Sequence, residues 1–285
     1  MKKVINRLIV FSIGFPLLLV VVVFFPHYNH LILNIITIVF SVLGAVELRN
    51  ILTNKNLVIS VPEAIILGAL IPASWTMVVS FGFNALLTNC AAVFGAIWLL
   101  VSGVFKSQKI TGDALNRITA GVAVMIYPGL FMAWIIRMAV FPRAEIVIVV
   151  FLIAVLLNDS AAWVFGMLFG KTNRGIIRAS PKKSIAGFVG GLIASIVIVS
   201  LAALIFPDAF TSKFAPGVLK AAILGLVTGC AAIFGDLGES VLKRSAGVKD
   251  SGTLILGRGG ALDSIDSLVL AAPVYYIIYL LLFVS

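Results

Sequence analysis

The residues of this chain that can do chemistry crowd into two stretches. Between Gly235 and Ser267 stand Asp236, Glu239, Ser240, Lys243, Arg244, Lys249, Asp250, Arg258, Asp263 and Asp266, punctuated by Gly252, Gly259 and Gly260. Asp236, Glu239, Ser240 and Lys243 follow i, i+3, i+4, i+7 spacing, so a helix through them puts all four on one face. Asp263 and Asp266 are likewise one helical turn apart. Hard carboxylate oxygens at helix ends suit Mg²⁺, which takes one or two carboxylates and completes its shell with water and substrate phosphates. Lysines and arginines beside them would neutralise a polyphosphate, and glycines let backbone approach it. This is the composition of metal-assisted phosphoryl chemistry. Salt bridges capping helix ends are the competing reading, and charge is too scarce elsewhere in the chain to favour it.

The second stretch begins at Asp159, inside IAVLLNDSAAWVFG and beside Asn158 and Ser160. An ionisable group in so apolar a segment is costly and faces a cavity or a partner. GKTNRGIIRASPKKSIAGFVGG follows at 170–191 and supplies Lys171, Ser180 and Lys183. Pro181 suits the start of a helix with Ser180 as its N-cap, which would gather free N–H groups and two lysines around an anion such as phosphate. A basic anchor for acidic lipid headgroups explains SPKKS equally well. GMLFGKT at 166–172 imitates a phosphate-binding P-loop but has one residue too few between its glycines, and it follows an apolar run instead of a strand. Gly166 and Gly170, like Gly225 and Gly229, read as helix-packing positions.

The elements that must position these residues lie in a membrane. The chain has 285 residues, 61% hydrophobic and 11% charged, with a mean hydropathy of +1.18. A soluble domain would carry about 25% charged residues. Apolar runs near spanning length fall at 8–26, 31–47, 58–81, 84–105, 118–140, 145–168, 184–206, 216–236 and 268–284. Alternating ten-residue strands are missing, which argues against a β-barrel. We therefore expect an all-α integral membrane protein of about nine helices. It forms a single polytopic domain over 1–285, with helices of 1–141 preceding a catalytic portion at 142–285. The first run is too long, and FFPHYNH after it too bulky, for a cleaved signal peptide.

Charge distribution then orients the chain. All but four of its 21 lysines and arginines fall on one side of these spans, the exceptions being Arg137, Arg143, Lys213 and Lys220. By the positive-inside bias the N-terminus is cytoplasmic and the C-terminus outside. The net charge of +10 thus faces cytoplasm, acidic lipids and anionic substrate, and no soluble domain presents it to nucleic acid. Cys90 and Cys230 lie in spans and read as packing residues. His27 and His30 lack further ligands and read as interfacial anchors beside Tyr28. Glu63, one residue after Pro62, suits the first turn of a helix.

Taken together, S-x-x-K-R-x₄-K-D-x-G and G-G-x-x-D-x-x-D resemble the signature of CDP-diacylglycerol synthases (phosphatidate cytidylyltransferases). Ser240, Lys243, Arg244, Lys249, Asp250, Gly252, Gly259, Gly260, Asp263 and Asp266 carry it here. The segment from Asp159 through Gly166, Gly170, Lys171, Ser180, Pro181, Lys183, Gly187, Gly190 and Gly191 is similar to the family's other characteristic block. The resemblance covers about residues 155–285. It implies that CTP and phosphatidic acid give CDP-diacylglycerol and pyrophosphate at the cytoplasmic face of a bacterial-type inner membrane, among membrane lipids and with one or two Mg²⁺ ions. Asp236, Asp250, Asp263, Asp266 and Lys249 would form the catalytic set, with Asp236, Asp263 and Asp266 on the metal. Asp159, Lys171, Ser180, Lys183, Glu239, Ser240, Lys243, Arg244, Arg258, Gly259 and Gly260 would bind substrate. A homodimer through a glycine-lined face is compatible with the sequence.

Four positions depart from the family pattern. It has proline or glycine where Leu256 stands, histidine at 258, a larger aliphatic at 261 and arginine at 264. This chain has Leu256, Arg258, Ala261 and Ser264. One cation is lost at 264 and one gained at 258, so Arg258 is expected to take over phosphate stabilisation. A CTP-dependent polyprenol or phytol kinase, another lipid cytidylyltransferase, a membrane transporter and a catalytically silent paralogue are the alternatives.

Overall fold

The computed structural model describes residues 2–106, 113–211, 217–255 and 259–284. Lys109, Lys213, Leu256 and Arg258 therefore lie outside the described residues. Ten α-helices follow one another: α1 (Lys2–Phe24), α2 (His27–Thr53), α3 (Val61–Phe81), α4 (Leu86–Lys106), α5 (Asp113–Val124), α6 (Phe131–Met138), α7 (Ala144–Phe169), α8 (Ile185–Ile205), α9 (Gly217–Ser245) and α10 (Leu262–Tyr279). A π-helical turn, Met125–Leu130, joins α5 to α6, so Ala114–Met138 runs as one apolar rod. Among the described residues, eight helices are long and apolar enough to cross a membrane, and α1 holds a shorter apolar stretch, Ser12–Phe24. The chain is an all-α integral membrane protein.

Local chemistry sets the helix ends. The right-handed part of α2 begins after a left-handed turn at Tyr28, Asn29 and His30, with φ of 52°, 52° and 57°. His30, expected at the interface, is instead buried, because that turn tucks it inward while Tyr28 stays exposed. Helix α3 opens on a capping box: Glu63 N–H donates to Ser60 Oγ, and Ser60 N–H donates to Glu63 Oε2 at 3.1 Å. Arg117 of α5 pairs with Glu63 and lies 3.3 Å from Ser102 Oγ of α4, so one buried guanidinium ties three helices. The π-helical turn coincides with Pro128, which has no N–H for the α-helical ladder. Ser41 Oγ lies 2.8 Å from Pro128 O and 2.7 Å from Gly68 O, within donating distance of both.

Helix α8 falls on the apolar run expected at 184–206, but its cap is not the one the sequence suggested. Ser180 is not its N-cap, and Pro181 sits in a turn. The cap is Ser184, whose Oγ accepts from Gly187 N–H at 3.1 Å. Much of Gly235–Ser267 is helical: α9 runs to Ser245 and α10 starts at Leu262, leaving only 246–261 between them.

The chain divides into two compact units. The first is Met1–Ala139 with Leu242–Ile265, and the second is Val140–Val241 with Asp266–Ser285. In the first, α2 and α3 approach closely because Gly68 leaves room for Ala45 and for the carbonyl of Ser41. Arg137 there stacks 3.9 Å from the Trp134 ring and 4.4 Å from that of Trp75. In the second, α7 and α8 pack through small residues. A Cβ on Gly187 would come 2.7 Å from Ala162 O, and one on Gly191 would come 2.9 Å from Asn158 O. Asn158 Nδ2 donates to Ser195 Oγ at 3.0 Å, joining the same two helices. Tyr275 and Tyr279 are buried with Phe141, Phe151 and Phe210, and Tyr275 donates to Val147 O at 3.1 Å.

Candidate active site

In the first unit, the chemistry-bearing residues centre on Asp263, in the first turn of α10. Its Oδ2 accepts from the backbone N–H groups of Ser251 and Gly260, both at 2.8 Å, and lies 2.9 Å from Ser251 Oγ. Its Oδ1 pairs with Lys243, which α9 carries in its last turn and which is buried at 9% exposure. Ile255 and Gly259 exchange backbone hydrogen bonds at 2.8 and 3.2 Å, closing the loop on itself. Gly259 has φ of 111°, a conformation open to glycine, and a side chain there would run into Asp263.

A second carboxylate completes this arrangement, and sequence reasoning missed it. Glu47 of α2 is 8% exposed and accepts from Ser251 Oγ at 2.8 Å, Ala261 N–H at 2.9 Å and Leu262 N–H at 2.8 Å. A lone acid near the end of an apolar run was the signal available. Ser264, where the resembled family has arginine, donates from its hydroxyl to Gly260 O at 3.3 Å. Ala261 is wholly buried. Lys249, Asp250 and Arg244 are exposed, the last donating to Val248 O at 3.2 Å.

In the second unit, Asp236, Asp159 and Glu239 all lie near enough to Asp266 to interact with it electrostatically. Lys183, at the end of the turn before α8, pairs with Asp236, and each side chain is about one-quarter exposed. Ser267 holds Asp159 from the side, its Oγ 3.1 and 3.3 Å from the two carboxylate oxygens. Glu239 is fully buried and Ser240 half-buried on the same helix. The turn bearing Lys183 is shaped by Ser180, which accepts from Lys183 N–H at 3.1 Å, and by Asn173, whose carbonyl accepts from Ile185 N–H at 3.2 Å. Gly166 and Gly170 leave space for Ser184, as their reading as packing residues requires. Lys171 remains exposed.

Among the described residues, no three His, Cys, Asp or Glu side chains form a ready-made metal cage. Two or three carboxylates with a lysine alongside is still a donor set that fits Mg²⁺, since that ion keeps several waters and takes ligands from substrate phosphates.

The cytidylyltransferase family model matches residues 5–282. A phosphatidate cytidylyltransferase of Synechocystis is 38% identical over 143 residues, which is 50% of this chain and 46% of that protein. One from Thermotoga maritima is 33% identical over 194 residues, 65% of this chain and 68% of that protein. One from Aquifex aeolicus is 31% identical over 165 residues, 58% of each. The chain thus spans about half to two-thirds of the length of these relatives.

Proposed function

Because the chain belongs to the cytidylyltransferase family, we propose that it joins CTP and phosphatidic acid into CDP-diacylglycerol and pyrophosphate. A phosphate oxygen of phosphatidate attacks the α-phosphorus of CTP, the bond from that phosphorus to the bridging oxygen breaks, and pyrophosphate leaves. A phosphate monoester is already largely dianionic near neutral pH, its second pKa being about 6, so no general base is needed. Positioning and charge neutralisation supply the acceleration.

The observation that carries this reading is the Lys183–Asp236 pair beside the Asp159–Glu239–Asp266 carboxylates. Asp236 and Asp266 would hold Mg²⁺, which neutralises phosphate oxygens when bound. Lys183 would then meet a phosphate, with Asp159 oriented by Ser267. In the first unit, Lys243 is the buried cation available to phosphate, and Asp263 positions it along with the backbone of Ser251 and Gly260. Arg244, Lys249 and Arg258 add positive charge for the triphosphate. The asymmetry of the basic residues supports a cytoplasmic N-terminus and an active site on the cytoplasmic face of the membrane.

The test uses purified protein in mixed micelles with phosphatidic acid, Mg²⁺ and CTP labelled at either the α- or the γ-phosphate. The α-label should move to lipid and the γ-label to pyrophosphate. With a polyprenol added to the micelles, transfer of the γ-label to it would make the protein a lipid kinase and overturn this reading. No transfer of either label to lipid would also overturn it, in favour of a transporter or a catalytically silent relative.

A further inference from the structure

Every hydrogen bond that the structure gives the Glu47 carboxylate comes from one short region, residues 251–262. Two of the donors, Ala261 N–H and Leu262 N–H, are free N–H groups at the start of α10, where a carboxylate is favoured by the helix dipole as well as by hydrogen bonding. The third, the Ser251 hydroxyl, lies 2.8 Å from Glu47 and 2.9 Å from Asp263. Ser251 is therefore held between two carboxylates, one on α2 and one on α10. Two glycines make the approach possible. A Cβ on Gly252 would come 2.6 Å from Glu47 Oε1, and one on Gly260 would collide with Glu47 Oε2.

These contacts form a chain: Glu47 fixes Ser251 and the first N–H groups of α10, Ser251 and Gly260 fix Asp263, and Asp263 holds Lys243. We infer that Glu47 is a positioning residue for the cation at Lys243, acting through the 250–262 loop and without touching substrate. This rests on the cytidylyl-transfer reading only in taking a CTP phosphate as the group that Lys243 meets. Glu47 belongs to the apolar N-terminal half, yet it sets the geometry of the glycine- and aspartate-rich segment.

Two variants approach the contact from opposite sides. Glu47→Gln replaces one acceptor oxygen by an N–H₂ that faces N–H and O–H donors. Gly252→Ala leaves Glu47 intact but forces its carboxylate to move. Both are compared with wild type by size-exclusion profile, by hydrogen exchange of the 250–262 peptide and by steady-state kinetics. Both should stay monodisperse and exchange faster in that peptide alone. Both should also raise KM for CTP about tenfold or more, the scale expected when a buried acceptor is lost, while KM for phosphatidic acid changes less. A role confined to general stability would lower the active fraction and leave the CTP KM in place. Unchanged exchange at 250–262 in both variants overturns the positioning, and an unchanged CTP KM in both overturns its link to Lys243. Failure of the proposed reaction shows separately, as wild-type protein that makes no CDP-diacylglycerol, and the exchange measurement then decides the positioning alone.

Discussion

Lys183 and Lys243 each pair with an aspartate, Asp236 and Asp263 respectively, the Lys183 side chain about one-quarter exposed and that of Lys243 nearly buried. Such pairs hold long side chains extended in one geometry, so much of the ordering cost is met before substrate arrives. On the proposed reading, Asp236 would turn to metal and Lys183 to a phosphate oxygen, while Asp263 keeps Lys243 in position. Position 264 shows what this arrangement lacks. Ser264 reaches only its own backbone, at Gly260 O, and supplies no cation. On the same reading, the charge that the resembled family carries at 264 would come from Arg258, the cation gained. Arg258→Ala in folded protein should therefore abolish CDP-diacylglycerol formation, whereas Ser264→Ala should leave it within about twofold, as for a surface-like hydroxyl substitution. Product formation with saturating CTP measures both, and turnover retained in Arg258→Ala would remove that residue from the site.

At the scale of elements, helix ends carry much of the specification. The Ser60–Glu63 capping box and the Glu63–Arg117 pair fix the start of α3, with side chains only 6% and 12% exposed for Glu63 and Arg117. Removing one partner of a buried pair strands the other and costs about 3–5 kcal/mol. Glu63→Ala should accordingly lower the thermal midpoint of the detergent-solubilised protein by several degrees, and Arg117→Ala should do the same. A double variant should lose less than the sum of the two, since neither charge is then left stranded. Membrane helices were legible from sequence because lipid demands long apolar runs, and Glu63 was legible because capping is local. The cap of α8 was not. Ser180 and Ser184 are equally good caps in sequence, and Pro181 fits a turn as well as a first helical position. Packing decides: Ser184 Oγ fills the space that Gly166 and Gly170 leave on α7. Glu47 was illegible for a stronger reason, since its partners lie 204 to 215 residues away and no periodicity connects them. The aspartates of 236–266 stand out because they cluster in sequence. Which donors each would meet depended on tertiary structure.

For the whole molecule, the uneven distribution of lysine and arginine is the strongest statement of orientation. With Cys90 and Cys230 replaced, single cysteines introduced at Asn54 and at Gly82 should differ in labelling by an impermeant thiol reagent added to intact cells. Gly82 should react and Asn54 only after permeabilisation; the reverse pattern would invert the topology. The order of synthesis adds a further consequence. The first unit takes in Leu242–Ile265, which the ribosome delivers only after all of Val140–Val241. Glu47 enters the bilayer with α2, and the amides that neutralise its isolation arrive 214 and 215 residues later. Throughout that interval the nascent chain carries an acid without its loop donors, a standing mark of incompleteness. A product that terminates before Ala261 never acquires these two amide donors, so the Glu47 site is completed only when nearly the whole chain has been made.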